Sequence, residues 1–124
     1  MKNIKHLLMV LTIIIIASAC GLNGPEKDLD PAQARGKSLF TQYCAACHDD
    51  TGDSIIVGPS LTHIATTGGT RTAGIDAATY IEQSLLDPDA YFVEGFDDLM
   101  PKTFNNMLAE EEIDSLISYL LSLK

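Results

Sequence analysis

Two cysteines three positions apart, with a histidine directly after the second, constrain this chain more than any other feature: Cys44-Ala45-Ala46-Cys47-His48. Four chemistries use such a pair. A thioredoxin-like redox couple follows a strand in a βαβ setting, and no strand signal precedes Cys44. A zinc site takes four protein ligands; Cys44, Cys47, His48 and His63 could be assembled, but their spacing fits no familiar finger. A Cys44–Cys47 disulfide would close a very small loop and add little. The adjacent His48 favours the fourth chemistry, covalent attachment of one c-type haem. Cysteines at this spacing on a helix end face one side and reach both vinyl groups of a porphyrin. His48 then falls beneath the iron as an axial ligand.

The chain has 124 residues, one small domain's worth, and a formal net charge of -9. A surface that acidic disfavours nucleic acid and favours basic partners. Residues 1–19 are expected to be a signal peptide. Lys2 and Lys5 give a positive start, 7–16 is an apolar run, and Ala17, Ser18 and Ala19 suit a signal peptidase. The run is shorter than the about 20 residues of a membrane span; an uncleaved signal would nonetheless act as an anchor. Ala17-Ser18-Ala19-Cys20 resembles a bacterial lipobox, with Ala17 where Leu is usual. Lipidation of Cys20 would account for the odd third cysteine; ordinary cleavage would leave it a free thiol. Several acyl chains would hold the protein firmly at a membrane. Residues 20–30, with Gly, Asn, Pro and charges, are expected to be the lipidated N-terminus and a flexible tether, leaving 31–124 as the folded domain.

A first helix is expected from the Asp30-Pro31 cap to about 43, with Leu39, Phe40 and Tyr43 on its apolar stripe. Gly36 interrupts it, either at a close helix crossing or as a neutral blemish. Residues 49–75, rich in Gly, Asp and Thr, are expected to be mostly loop. A middle helix follows from an Asp76 cap to about 86, stopped by Asp87-Pro88. Residues 89–107 are expected to be irregular. A last helix is expected over 109–123, with Glu110, Glu111 and Glu112 in its first turn. Ile113, Leu116, Ile117, Leu120 and Leu121 form its buried face. The fold class is therefore all-α, about three main helices with long loops. The apolar inventory is thin for so much loop, and a flat apolar cofactor would supply the missing core.

These residues, in this order, resemble the class I monohaem cytochromes c over about 31–123. Gly36 and Phe40 match the family's first helix, and Tyr119 matches the aromatic of its last. Gly58-Pro59-Ser60-Leu61 matches Gly-Pro-x-Leu. The resemblance implies that the Pro59 carbonyl accepts a hydrogen bond from the second ring nitrogen of His48, which fixes the ring and strengthens its donation to iron. Met100-Pro101 matches the Met-Pro that supplies the sixth iron ligand. Ala109 stands where the family often has a Ser or Thr cap, a departure that touches stability. Tyr80-Ile81, Ser84, Asp87-Pro88, Tyr91 and Gly95-Phe96 resemble lipid-anchored cytochromes of bacterial respiratory or photosynthetic chains; the monohaem subunit of alternative complex III is one such protein.

Among sixth-ligand candidates, Met100 lies far enough past His48 to pass round a haem edge, and Pro101 would hold its loop. Met107 reads as core packing and His63 as a loop or surface residue. With His48 and Met100 both bound, the soft thioether favours Fe(II), and no site is left for oxygen or peroxide. The implied function is one-electron transfer by a haem c carrier, exported and lipid-anchored at the periplasmic or extracellular face of a membrane. Its partners would be redox proteins or a membrane electron-transport complex. No acid/base or nucleophile constellation suggests an enzyme. The alternatives are a haem protein with an open sixth site, gas-binding or weakly peroxidatic, and a haem-free zinc or redox module. Arg71 is a candidate partner for a haem propionate or a solvated surface residue, with Lys102 and Tyr91 weaker candidates. Asp49, Asp50, Asp53, Asp97 and Asp98 are candidates for an acidic rim facing a basic partner, or simply for solvated groups.

Overall fold

In a computed structural model, residues 28–124 are described. The segment expected to be a signal peptide, Cys20 and most of the expected tether lie outside them. Among the described residues there is no β-strand. The described residues form five α-helices: α1 (Pro31–Tyr43), α2 (Ile64–Arg71), α3 (Ala77–Leu86), α4 (Phe104–Met107) and α5 (Glu110–Leu120), with a 3-10 turn at Pro88–Ala90. The all-α expectation holds.

α1 starts where its cap residues dictate. The Asp30 carboxylate accepts the Gln33 N–H at 2.9 Å, and the Gln33 side chain accepts the Asp30 N–H at 3.2 Å. Pro31 occupies the first turn, where its missing N–H costs nothing. The helix then crosses α5 at Gly36. A Cβ there would lie 2.0 Å from the Ser115 carbonyl oxygen and 2.6 Å from the Tyr119 Cβ. Gly36 is thus a contact point and not a blemish. One turn on, Phe40 meets Tyr119 with ring centroids 5.8 Å apart. Leu116, fully buried, belongs to the core cluster that contains both rings.

Three expectations are corrected. Residues 64–71 form a helix inside the expected loop. Gly68 and Gly69 look like breakers in sequence, but they let α2 lie close against α3. A Cβ at Gly68 would approach the Tyr80 ring to 3.1 Å, so tertiary packing outweighs the low propensity of the segment. The last helix ends at 120, three residues early. Ser122 N–H donates to Tyr119 and Leu123 N–H to Leu120, a tight final turn. That turn presents the Leu123 carbonyl to the Ala65 N–H, one of the donors α2 leaves free at its start. Finally, 104–107 is a short helix, and Met107 is 52% exposed with the Thr103 hydroxyl on its sulfur. Its side chain is not core packing.

Candidate functional site

α1 delivers the cysteine motif. As its regular turns end, the Cys44 N–H still bonds the Phe40 carbonyl at 2.8 Å, and the Cys47 and His48 N–H groups both reach back to the Cys44 carbonyl at 2.9 Å. This tight turn puts Cys44, Cys47 and His48 on one apolar cleft of about 170 Å³. Pro59, Arg71 and Met100 line the same cleft. The six candidate residues within the described chain therefore converge.

The His48 ring is held from two directions. Its Nδ1–H donates to the Pro59 carbonyl at 2.7 Å. Gly58 lies against the ring: a Cβ there would sit 2.4 Å from His48 Cε1. With Nδ1 occupied, Nε2 is the nitrogen left to bind a metal. Burial lowers the His48 pKa, the Pro59 bond opposes that, and the positive charge of Arg71 adds to it. The net direction favours the neutral ring, the form that carries a lone pair.

The two thiols are free, Cys44 buried and Cys47 half-buried. Burial, and then the charge of Cys47, push Cys44 up to about 11. A catalytic redox cysteine needs a stabilised thiolate, and Cys44 has the opposite environment. Among the described residues, no three His, Cys, Asp or Glu side chains are grouped to hold a metal ion. Neither the thioredoxin-like nor the zinc alternative finds support in this geometry.

Arg71 is not simply solvated. It donates to the Tyr80 hydroxyl at 2.9 Å, and its guanidinium carbon lies 5.4 Å from the centroid of the same ring. Tyr91 packs edge-on against Tyr80. Tyr80 braces Arg71 within the cleft, a contact that nothing in its local sequence marks. Lys102 turns to Asp89 at 2.6 Å and Asp98 at 2.9 Å. These two carboxylates raise its pKa.

The acidic residues divide by role. Asp49 accepts from the N–H groups of Thr51, Gly52 and Ser54, which hold it down to about 2. It closes a loop, as an Asp before Thr and Gly often does. Asp50 accepts from the Tyr119 hydroxyl. Asp98 pairs with Lys102. Asp53 stays in water, 3.9 Å from an exposed His63.

The family model for cytochrome c matches residues 33–124. The chain belongs to the cytochrome c family. A comparison with curated proteins returns no match. The cytochrome's cleft residues fit the covalent haem that this family carries: an open apolar cleft, two free thiols and an imidazole with one nitrogen already fixed. This is a class I cytochrome c, a haem-binding electron carrier of the small all-α type. No helix among the described residues is long and apolar enough to cross a membrane.

Proposed function

We propose that this cytochrome is a one-electron carrier whose haem is bound through Cys44 and Cys47, with His48 and Met100 as axial ligands. When bound, the haem supplies a reversible Fe(III)/Fe(II) couple. The chain does the rest. Cys44 and Cys47 would hold the haem through two thioether links. Pro59 and Gly58 fix the imidazole, and Met100 offers a thioether from the same cleft. Arg71, braced by Tyr80, offers its remaining donors to a propionate. The apolar lining excludes water, so little must rearrange when an electron moves. The observation that carries this reading is the convergence of Cys44, Cys47, His48 and Met100 on one cavity.

The domain plan proposed is 1–19 signal peptide, 20–30 lipidated tether and 31–124 cytochrome domain. Lipidation at Cys20 would place the domain on the outer face of a bacterial membrane, serving a respiratory or photosynthetic chain. The resemblance of the middle segment to lipid-anchored cytochromes, including the monohaem subunit of alternative complex III, supports that setting.

Replacing Met100 by Ala tests the ligand. The thioether-to-Fe(III) absorption band is expected to vanish, and carbon monoxide to bind the ferrous variant readily at neutral pH. Ready binding to the unmutated protein would show an open sixth site instead. Cys20→Ala is expected to move the protein from the membrane to the soluble fraction.

A further inference from the structure

Ile55 and Ile56 are consecutive apolar residues held in water. Ile55 is 71% exposed and Ile56 51%. Val57 lines the haem cleft; Ile55 and Ile56 do not, so a group filling the cleft leaves them uncovered. Side chains like these ordinarily collapse onto a core, which takes their apolar surface out of water.

The loop that carries them is braced against collapse. Behind the tip, Asp49 collects the N–H groups of Thr51, Gly52 and Ser54. The Ser60 and Thr62 hydroxyls both donate to the Gly52 carbonyl at 2.6 Å, and the Leu61 N–H donates to the Asp49 carbonyl at 2.7 Å. On its other side the loop is tied to the haem-attachment turn. Val57 and Gly58 donate their N–H groups to the Cys47 carbonyl at 3.2 and 2.9 Å. An apolar tip is thus presented rigidly, one residue from the cleft and bonded to the cysteine of the haem motif.

We propose that Ile55 and Ile56 form the docking tip for a redox protein that presents an apolar patch bordered by lysine or arginine. The proposal rests on the electron-carrier reading above. Charge selects this occupant. The chain carries a net -9, and the Asp53 carboxylate, 89% exposed, stands two positions from Ile55. A second copy would bring a like-charged surface to the tip, and an anionic lipid surface would repel it. A cationic border is attracted and steered, while the apolar centre excludes water between the partners. In the docked pair one electron passes between the partner's one-electron centre and the haem. One centre is oxidised as the other is reduced, and no bond is made or broken.

The test uses the full-length holoprotein in its ferric state. The probe is zinc-substituted mitochondrial cytochrome c, a lysine-rich protein whose photoexcited triplet donates one electron. Flash photolysis is expected to show quenching that weakens as salt is added. Ile55→Ser/Ile56→Ser is expected to slow it by about tenfold at low salt, with the absorption spectrum, midpoint potential and reduction by hexaammineruthenium(II) unchanged. Asp53→Asn is expected to flatten the salt dependence. Quenching as fast in the double variant as in the parent would overturn the proposal. So would self-association, or binding to phosphatidylcholine vesicles, that the double variant abolishes. If the ferric protein lacks haem bands or takes no electron even from hexaammineruthenium(II), the electron-carrier reading fails instead.

Discussion

His48 and Met100 line the same cleft, but the chain secures them differently. On the His48 side, α1 runs into the cysteine turn through unbroken backbone hydrogen bonds, Gly58 packs on the ring and Pro59 fixes its Nδ1. α5 braces α1 from behind at Gly36. On the Met100 side, the stretch from 91 to 103 has no helix or strand. Its backbone bonds are short-range, Phe96 to Val93 and Leu99 to Asp97. A tie reaching beyond it is the Lys102–Asp89 ion pair. The first side is finished by the polypeptide itself. The second is a strap, held by side-chain packing and surface charge, and suited to closing over a bound group.

The sharpest way to break this contrast is at the helix crossing. Gly36→Ala puts a methyl 2.0 Å from a backbone oxygen that cannot swing aside. The helix-propensity gain of about 1 kcal/mol cannot offset this overpacking. A net loss of about 3 kcal/mol is expected in urea denaturation. An unchanged midpoint would mean that α1 and α5 slide freely and that the His48 side is not rigidly framed. Leu116→Ala, on α5 and fully buried in the core cluster that holds Phe40 and Tyr119, is expected to cost about 3 kcal/mol through the cavity it leaves. A loss well under 1 kcal/mol would show that the crossing carries little of the stability.

Much of the His48 side could be read from sequence, because its signals are local. Asp30-Pro31 marks a cap, and Cys-x-x-Cys-His fixes a turn. The Pro59 bond followed from the resemblance and is present at 2.7 Å. What escaped was non-local. The helical state of 64–71 depends on Gly68 meeting the Tyr80 ring, and no window along the chain contains that fact. The brace of Arg71 on Tyr80 is of the same kind. Met107 departs from its core expectation for a related reason: burial of a methionine beside an apolar helix is set by tertiary placement, and here it is 52% exposed. The acidic residues looked alike in sequence. Their division into loop closure, helix tie and free surface is set by which N–H and O–H groups the fold brings near.

The strap offers a smaller, more local test. Lys102→Gln removes both ion pairs without altering the core. Exposed pairs are weak, so global stability is expected to be almost unmoved. Amide hydrogen exchange between 97 and 103 is expected to rise by about two- to five-fold, and Lys102→Arg to restore it. If exchange there is unaffected, apolar packing of the strap suffices and the Lys102 pairs are incidental.

The least effect is expected at the start of α5, where Ala109 supplies no capping oxygen. Glu112 accepts the Ala109 N–H at 3.0 Å and pairs with Arg35 of α1 at 3.2 Å. The N–H bond first, and Arg35 after it, lower the Glu112 pKa. Around the ordinary carboxylate range the unfolded chain therefore binds more protons at this position than the folded one. The stabilisation is full above that range and is lost as pH falls through the lowered folded value. Glu112→Gln keeps an acceptor for the Ala109 N–H but removes the charge. Its melting temperature is expected to sit slightly below the parent's at neutral pH and to converge with it as both are acidified. Salt should narrow the neutral-pH gap, because the Arg35 side chain is more than half exposed and screening weakens such a pair. A gap that widened on acidification would mean that Glu112 is favoured protonated in the fold. The α1–α5 brace would then owe nothing to this charge and would rest on the Gly36 contact.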